Sequence, residues 1–478
     1  MASNFIPSLD NKDGHQSHQK HGSTTNNMQN GGGSQKAVKS TADTAILHKL
    51  SCVEKGYYDD EYIRGMSLGA SGLNKNNNSS SRRSAAANST EPIIRKGTHA
   101  RVKAVERAID AFLSLTASSG DKSSQDKTLK RQIVILGAGR DTTYLRYRFQ
   151  HENNNIINNV NWYEIDHESV IVQKAHTWLP NCIPKDYDCK CYSNDEEHDD
   201  DIDHQVVSYN VSITPKDTTC SDDKQQQRNS SSNYHLIGHD LRSSPSKLFD
   251  ILTSPKHGYD KSIPTLFILE CVVMYLPDDA SRDLLQYIAN SPKEAEASSS
   301  DEEKPFVAVV IYDPIPSNDR FGQLMIDNLQ KVGIIGRGGR TKGGCHQRRS
   351  NSNSNIDQDD SASPQLLSLE MRQTLSDQLT KLTQSGFDIA TGCDMMAAYD
   401  YGVISLDDRR RASRCEMLDE LEEFVLLMKH YCLLVGVSSC KERSDRAGID
   451  ECLGYRLCSV GDDSLIGFRE GRSMVERR

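Results

Sequence analysis

Three carboxylate residues each stand in or at the end of an apolar run that is typical of a buried strand. Asp166 ends "WYEID", Asp240 follows "YHLIGH", and Glu270 lies within "TLFILECVVMYL". A further apolar run, "QIVILG", leads into the pair Gly137 and Gly139. Glycines at such a point let the backbone turn into a helix and pass close to a ligand. Because ligands of parallel sheets bind outside the carboxyl ends of the strands, these residues predict one nucleotide-binding site.

Three positions bear on which nucleotide that site holds. The dinucleotide fingerprint needs Gly or Ala three residues after the second glycine, where this chain has Thr142. Asp166 can accept hydrogen bonds from both ribose hydroxyls, which NAD and S-adenosylmethionine have in common. The carboxylate of Glu270 is costly to bury among apolar residues without a cationic partner. The sulfonium and ammonium groups of S-adenosylmethionine supply such a partner, so the pattern favours this methyl donor over a dinucleotide.

Each of these positions also has a purely structural interpretation. The two glycines can form a simple strand-to-helix turn, Asp166 can cap the helix that begins with "HESV", and Glu270 can pair with a buried arginine. Asp240 is placed to bind an adenine amino group, with the neighbouring backbone serving a ring nitrogen. His239 beside it is interpreted as structural.

The bulk composition argues against several classes of protein. The formal net charge is −10 without a basic face, so no nucleic-acid partner is expected. The N-terminus has no apolar signal region and no run approaches about 18 apolar residues, so we expect neither secretion nor a membrane span. The 13 cysteines are scattered, which favours reduced thiols in a cytoplasmic protein. Cys189 and Cys191 are candidate metal contacts, but their hydrophilic surroundings favour ordinary thiols, and no metal is predicted.

Polar tracts divide the chain into a folded part and additions to it. Residues 1–40 are rich in Gly, Asn, Ser and Gln and are predicted to form a disordered tail. Similar tracts are interpreted as insertions in surface loops, where added length costs little stability. They lie at about 74–89, 185–232, 291–304 and 336–364. Residues 41–437 are predicted to form one domain, and 438–478 an extension to which we assign no function.

Alternating strands and helices predict an α/β fold with helices on both faces of a parallel sheet. The predicted strands are "QIVILG", "NWYEI", "YHLIGHDL", "TLFILECVVMYL", "PFVAVVIY", "FDIATGCD" and "HYCLLVGVS". Apolar residues at spacings of three and four predict a helix over "THARVKAVERAIDAFLSL". Further helices are predicted from Thr142, in "HESVIVQKAHTWL" and "SRDLLQYIAN", and over about 321–333, 365–385 and 405–429.

Six ordered blocks of sequence together resemble the leucine carboxyl methyltransferases. The blocks are "LGAGRDTT", "YEID", "GHDLR", "ECVVMYL", "DRFGQLMIDNL" and "LDELEEFVLLMKHYCLL", and the similarity runs from about Lys49 to about Val437. Members of this family use S-adenosylmethionine to methylate the C-terminal leucine of the type 2A protein phosphatase catalytic subunit. The resemblance implies a Rossmann-like methyltransferase sheet, an N-terminal helical lid that includes "YYDDEYI", and a role in phosphatase holoenzyme assembly.

The resemblance also implies the residues of the site. Arg101 is expected to hold the carboxylate of the cofactor's methionine, and Tyr275 or Arg64 to orient the carboxylate of the substrate. Arg101 and Tyr275 are therefore the predicted catalytic residues, although Tyr275 can also be an ordinary residue at a strand end. A pocket for the leucine side chain is expected from residues 41–70 and the neighbourhood of Tyr275. The implied cofactor contacts are Lys49, Arg101, Gly137, Asp166, Asp240, Leu241 and Glu270.

The chemistry of the implied substrate sets further expectations. A chain-terminal carboxylate has a pKa near ~3.5 and is already a nucleophile at neutral pH, so no general base is required. Burial of one leucine side chain is worth only about 1.5–3 kcal/mol. Selection of one protein therefore requires contact with the phosphatase body as well as its tail. A monomer is expected.

Two other functions compete with this interpretation. One is a carboxyl methyltransferase of the wybutosine pathway, which acts on a modified guanosine of phenylalanine tRNA. That relative carries a C-terminal β-propeller, whereas only about 40 residues without a repeat follow the last predicted strand here. The other is a scaffold that binds S-adenosylmethionine without transferring its methyl group.

Overall fold

A computed structural model describes residues 35–70, 90–114, 130–150, 159–193, 206–216, 233–296, 305–331 and 367–439. The strands are β1 Arg131–Leu136, β2 Val160–Asp166, β3 Tyr187–Ser193, β4 Ser208–Pro215, β5 Tyr234–Gly238, β6 Thr265–Glu270, β7 Phe306–Pro314, β8 Ile389–Asp394 and β9 Tyr431–Ser439. The helices are α1 Gln35–Glu54, α2 Ile63–Met66, α3 Pro92–Leu113, α4 Thr143–Gln150, α5 Glu168–Gln173, α6 Pro245–Thr253, α7 Asp278–Glu296, α8 Arg320–Lys331, α9 Ser368–Met371, α10 Leu375–Gln384, α11 Met395–Asp400, α12 Leu406–Cys415 and α13 Leu421–Lys429. No helix in these ranges is long and apolar enough to cross a membrane.

The strands form a 9-stranded sheet in the order β3-β4-β5-β2-β1-β6-β7-β9-β8. The five central strands, from β5 to β7, pair in parallel. The prediction of an α/β, Rossmann-like sheet is confirmed. The prediction that the whole sheet is parallel is wrong, because β3, β4, β8 and β9 pair with antiparallel neighbours at the two flanks. Antiparallel edge strands on a parallel centre are common in large sheets.

Helices cover both faces of the sheet. Alternate residues of a strand point to opposite faces, and in β1 they belong to different clusters of buried side chains. Ile133 and Ile135 pack in a cluster that includes residues of α3 and α4. Val134 and Leu136 pack in a cluster that includes residues of α6 and α7. Every residue of β1 is buried, which explains the apolar run from Ile133 to Leu136.

Three regions that are predicted to be surface loops or tail contain regular structure. The tract at 185–232 was expected to be a surface insertion, but both β3 and β4 lie within it. β3 alternates partly buried and exposed residues, so its half-exposed hairpin has a polar composition. Helix α1 begins at Gln35, inside the predicted tail, and α7 continues to Glu296, into the tract at 291–304. The tracts at 74–89 and 336–364 and the residues after 439 lie outside the described residues.

Two regions that are each predicted to be one helix contain two shorter helices in the structure. The region 405–429 divides into α12 and α13, and Glu416 after α12 is extended, with φ −164° and ψ 157°. Its carboxylate leaves the helix direction to meet Arg95 of α3, and Tyr57 donates to the same group at 2.6 Å. The region 365–385 divides into α9 and α10, because Thr374 starts a new helix as an N-cap bonded to Asp377. The first break therefore follows from a tertiary contact that outweighs local helix propensity, and the second from a local capping interaction.

Helices α1 and α2, with the chain between them, form the lid, which we define as residues 35–70. Helix α1 packs along α3. Buried Asp60 attaches the lid to the sheet, since its Oδ2 accepts a 2.6 Å hydrogen bond from the hydroxyl of Thr142. Arg411 of α12 binds Asp59 through two bonds of 2.8 and 2.9 Å. The lid therefore lies between the first strand-to-helix loop and the C-terminal helices.

Candidate active site

A cavity of about 270 Å³ lies at the carboxyl ends of the central strands. Its walls come from the loop after β1, the ends of β2, β5 and β6, and helices α1 and α3. All the predicted cofactor and catalytic residues line it: Lys49, Arg101, Gly137, Asp166, Asp240, Leu241, Glu270 and Tyr275. Arg64 does not line it, and its side chain is exposed on α2, so its contact with the substrate stays a prediction.

The loop after β1 has a conformation that requires glycine. Gly137 has φ +70°, and a Cβ there would lie 2.4 Å from a methyl group of Val272. Gly139 has φ +50° and donates its N–H to Asp166 Oδ2 at 2.7 Å. The hydroxyl of Thr142, the residue that argues against a dinucleotide, donates its hydrogen bond to Asp60. The loop is therefore a close-fitting cradle whose shape a side chain would disrupt.

Asp166 is fixed by two backbone donors. Besides the bond from Gly139, its Oδ1 accepts the N–H of His167 at 2.6 Å. Burial raises the pKa of Asp166, and the two N–H groups only partly oppose this rise. Each carboxylate oxygen keeps further acceptor capacity, so the group can receive hydroxyl donors such as those of a ribose.

Glu270 is the centre of a charged cluster. Arg101 Nε donates to Glu270 Oε1, and Lys49 Nζ lies 3.4 Å from the same oxygen and 3.2 Å from Asp141 Oδ2. Burial alone would raise the pKa of Glu270, but Arg101 and then Lys49 outweigh burial and hold it below its ordinary value. The protein itself therefore supplies the cationic partners of Glu270, and the structural alternative of a pair with a buried arginine is present. A cationic ligand is not needed to explain why this carboxylate is buried.

Asp240 also has a partner within the chain. Its Oδ1 accepts from Arg242 Nε at 2.9 Å, and this bond lowers the pKa of Asp240. The side chain stays partly exposed at the cavity beside Leu241. A charged, fixed acceptor at this place suits an exocyclic amino group.

The turn after β6 carries Tyr275 and is unusual in its backbone. Cys271 has φ +56°, a conformation that side chains rarely adopt, and Val273–Tyr275 forms a short 3-10 helix. Asp313, at the end of β7 and fully buried, accepts the N–H of Met274 at 3.0 Å. Burial raises the pKa of Asp313 to about 8. A hydrogen bond from the turn to Asp313 of the neighbouring strand β7 therefore helps to hold the strained turn in place.

Several cavity residues were not predicted individually, although residues 41–70 are expected to form part of a pocket. Thr41, Ala45 and His48 lie on one face of α1, next to Lys49, and Tyr431 begins β9. Burial and then the charge of Arg101 lower the pKa of His48 to about 4, so its ring is neutral. Thr41, Ala45 and His48 are separated by four and then three residues, a helical spacing that places them on one face. Leu367 reaches the cavity by pairing with Pro277, a contact that no local pattern indicates.

The thiols that were considered as metal contacts are free in the structure. Cys189 and Cys191 both lie on β3 and are partly buried. Among the described residues, no group of three or more His, Cys, Asp or Glu side chains is placed to hold a metal ion.

Comparison with known proteins identifies the family. The family model described as leucine carboxyl methyltransferase matches residues 37–289, which is more than half of the chain. The chain belongs to the leucine carboxyl methyltransferase family. The match begins in α1 and covers the lid, the glycine loop and all of the predicted site residues.

Curated members of the leucine carboxyl methyltransferase family align over most of this chain. The Leucine carboxyl methyltransferase 1 homolog of Arabidopsis thaliana is 27% identical over 402 residues, which are 84% of this chain and 89% of that protein. Leucine carboxyl methyltransferase 1 of Rattus norvegicus is 26% identical over 83% of this chain and 88% of its own length. The Debaryomyces hansenii protein of the same name is 29% identical over 72% and 74%. The resemblance found in the sequence is confirmed, and the chain is a methyltransferase of this family. Membership implies a methyl donor of the S-adenosylmethionine type.

Proposed function

We propose that this protein is an S-adenosylmethionine-dependent carboxyl O-methyltransferase. Its substrate in this proposal is the C-terminal leucine carboxylate of the type 2A protein phosphatase catalytic subunit, and the methyl ester regulates assembly of the phosphatase holoenzyme. The observation that carries the proposal is the convergence of Asp166, Asp240 and Glu270 with the glycine loop on one cavity. Relatives named leucine carboxyl methyltransferase 1 support the choice of a leucine carboxylate.

The donor set of the cavity suits the proposed cofactor. Asp166 and Asp240 are acceptors for the ribose hydroxyls and the adenine amino group, and the glycine loop admits a ligand against its backbone. Lys49, Arg101 and Glu270 offer both signs of charge within one cluster, which matches an amino-acid end with one ammonium and one carboxylate. When bound, S-adenosylmethionine supplies an activated methyl group on a sulfonium.

An apolar part of the cavity lining suits the tail of a protein. This part comprises Met274, Leu276, Pro277 and Leu367. This surface removes water from a carboxylate, which raises the reactivity of that carboxylate toward a cationic methyl group. No general base is needed, because a chain-terminal carboxylate is ionised at neutral pH.

Tyr275 is the group in this part of the cavity that can orient the carboxylate. Burial, then the neighbouring Cys271, raises the pKa of the Tyr275 hydroxyl above its ordinary value. The hydroxyl therefore stays protonated, and it can donate a hydrogen bond to one carboxylate oxygen while the other reacts. A neutral donor fixes the direction of attack without the full charge that would weaken the nucleophile.

The proposal includes the setting of the enzyme. A leucine side chain contributes only about 1.5–3 kcal/mol, so we expect the phosphatase body to contact the enzyme outside the cavity. We expect a cytoplasmic monomer that acts on a protein and neither on nucleic acid nor at a membrane.

The test is transfer of radiolabelled methyl from S-adenosylmethionine to purified phosphatase catalytic subunit. A matched subunit without its last leucine is the control. We expect label on the intact subunit only, released by mild base as an ester is. Bound cofactor without label on either protein would reject the enzyme and favour a scaffold, and label on both would place the methyl group elsewhere.

A further inference from the structure

Arg140 links the cofactor loop to the lid. It follows Gly139 in the loop, yet its side chain is 6% exposed and points away from the strand into the lid. One nitrogen of the guanidinium donates to the carbonyl oxygens of Met66 and Leu68, both at 2.9 Å. Another lies 2.7 Å from Asp43 Oδ1 in α1. The side chain therefore joins the two helical parts of the lid to a single residue of the loop.

The contacts of Arg140 suit a positioning role. The carbonyls of Met66 and Leu68 lie at the C-terminal end of α2, where carbonyl groups lack helical partners and attract cations. The guanidinium also lies over the ring of Trp178, with Cζ 3.8 Å from its centroid. In the same turn as Trp178, buried Lys174 donates to the carbonyl of Asp141 at 2.9 Å. Both residues that follow Gly139 are thus held from outside the loop.

A continuous series of contacts runs from Asp166, the proposed ribose acceptor, to the wall of the cavity formed by α1. Asp166 accepts the N–H of Gly139, and Arg140 is the next residue along the chain. Through Asp43, Arg140 fixes α1, which supplies Thr41, Ala45 and His48 to the cavity wall. A ligand that sets the position of Asp166 and the loop therefore also sets the position of this wall.

We propose that Arg140 couples occupation of the cofactor loop to the geometry of the lid, so that the protein substrate is received best after the cofactor. This coupling rests on the proposed function for the identity of the two ligands. It is an energetic linkage between neighbouring sites, and such linkages commonly amount to about 5–150-fold in affinity. Arg140 acts through α1 and α2, so it is a positioning residue.

Hydrogen exchange measures the coupling without the protein substrate. S-adenosylhomocysteine is added to wild-type protein and to Arg140→Met, and amide exchange is followed at 137–141 and at 57–70. In wild type we expect slower exchange in both regions, by about tenfold or more in the lid. In Arg140→Met the loop should keep its protection while the lid loses it. Arg410→Met, which removes an arginine that is 60% exposed on α12, is the matched control and should behave as wild type.

A second variant and a kinetic readout separate coupling from simple damage. Asp43→Asn keeps the shape of the side chain and should also weaken the protection of the lid. It serves as the deciding variant if Arg140→Met does not show the cooperative unfolding of a folded protein. For both variants we expect KM for the phosphatase subunit to rise about tenfold with kcat nearly unchanged. Because the two residues share one contact, the double variant should be no worse than Arg140→Met alone.

The outcomes distinguish this inference from the proposed function. Lid protection that persists in Arg140→Met, or that never occurs in wild type, would overturn the coupling. Lid protection that occurs in wild type and is lost in Arg140→Met, in a protein that transfers no methyl group, would overturn the proposed function and support the coupling. If wild type binds no S-adenosylhomocysteine, both are wrong.

Discussion

Glu270 has two cationic partners, and Arg101 is the closer of them. We expect Arg101→Ala to lower kcat/KM for methyl transfer by about 100-fold, because a misplaced reacting group costs about that much. The change also leaves a mostly buried carboxylate with Lys49 alone, so we expect a loss of up to about 3 kcal/mol in the free energy of unfolding. Initial rates and denaturant titration measure the two effects separately.

The double variant Arg101→Ala with Glu270→Gln is the control for this prediction. It removes the unpaired charge, so stability should return toward wild type while activity stays low. Activity near the wild-type value in Arg101→Ala would remove this arginine from the site.

Asp166 is predicted to bind the nucleoside part of the cofactor and to leave substrate choice unaffected. A hydrogen bond to a charged group is worth about 1.5–3 kcal/mol, so Asp166→Ala should weaken S-adenosylhomocysteine binding by roughly 10–100-fold. KM for the phosphatase subunit at saturating cofactor should change little. Titration calorimetry measures the affinity, with Asp407→Ala as a control because that side chain is 93% exposed on α12. Unchanged affinity would place the nucleoside elsewhere.

For single residues, the sequence predicted which side chains belong to the site better than it predicted which residues they contact. Asp166 was found because it ends an apolar run and Glu270 because it lies within one, and both are local signals. The pairing of Glu270 with Arg101 joins residues that are 169 positions apart, and no spacing rule reports such a contact. His48 was missed because its cavity face is shared with Thr41 and Ala45, which carry no charge.

At the scale of elements, Asp313 connects β7 to the turn that carries Tyr275. The pKa of its buried carboxyl is about 8, above the ordinary value, so the folded state holds a proton that the unfolded state releases. The free energy of unfolding must then fall as pH rises toward about 8, by about 1.4 kcal/mol per pH unit at most. Asn in place of Asp keeps an acceptor for the Met274 N–H and has no charge to bury.

We therefore compare the free energy of unfolding of Asp313→Asn with that of wild type at two pH values. The difference in favour of the variant should be larger at about pH 8 than at about pH 6, by about 2 kcal/mol. Denaturant unfolding at the two pH values gives this difference. A stability difference that is equal at both pH values would show that Asp313 is ionised throughout.

The elements themselves were predicted where burial and propensity agree. The central strands read as continuous Val, Ile and Leu runs because both of their faces are covered. The β3–β4 hairpin escaped prediction because it is half exposed, so its composition resembles that of a loop. The break at Glu416 escaped because its cause is a contact with Arg95 of α3, 321 residues away.

At the scale of the whole molecule, the cavity is assembled from distant parts of one chain. Its walls include α1 near the N-terminus, the ends of the central strands, Leu367 and Tyr431. The glycine loop and the strand-end acids could be predicted, since they follow consecutive strands. The wall formed by Leu367 and Tyr431 could not, because it depends on how β9 inserts beside β7 and on the pairing of Leu367 with Pro277.

The tract at 336–364 is predicted to be an addition that catalysis does not require. The described cavity wall resumes at Leu367, and Ser368 N donates to the carbonyl of Leu276 at 2.9 Å. Replacing 336–364 with a short Gly/Ser linker keeps these contacts and shortens the connection between α8 and Leu367, and halving the length of a flexible connection changes stability by only about 0.6 kcal/mol. We expect kcat/KM within about twofold of wild type and a similar free energy of unfolding. Leu367→Ala in the full-length chain is the matched control and should raise KM for the phosphatase subunit, because it removes apolar surface from the cavity. A deletion variant that unfolds cooperatively but transfers no methyl group would assign the tract a catalytic part.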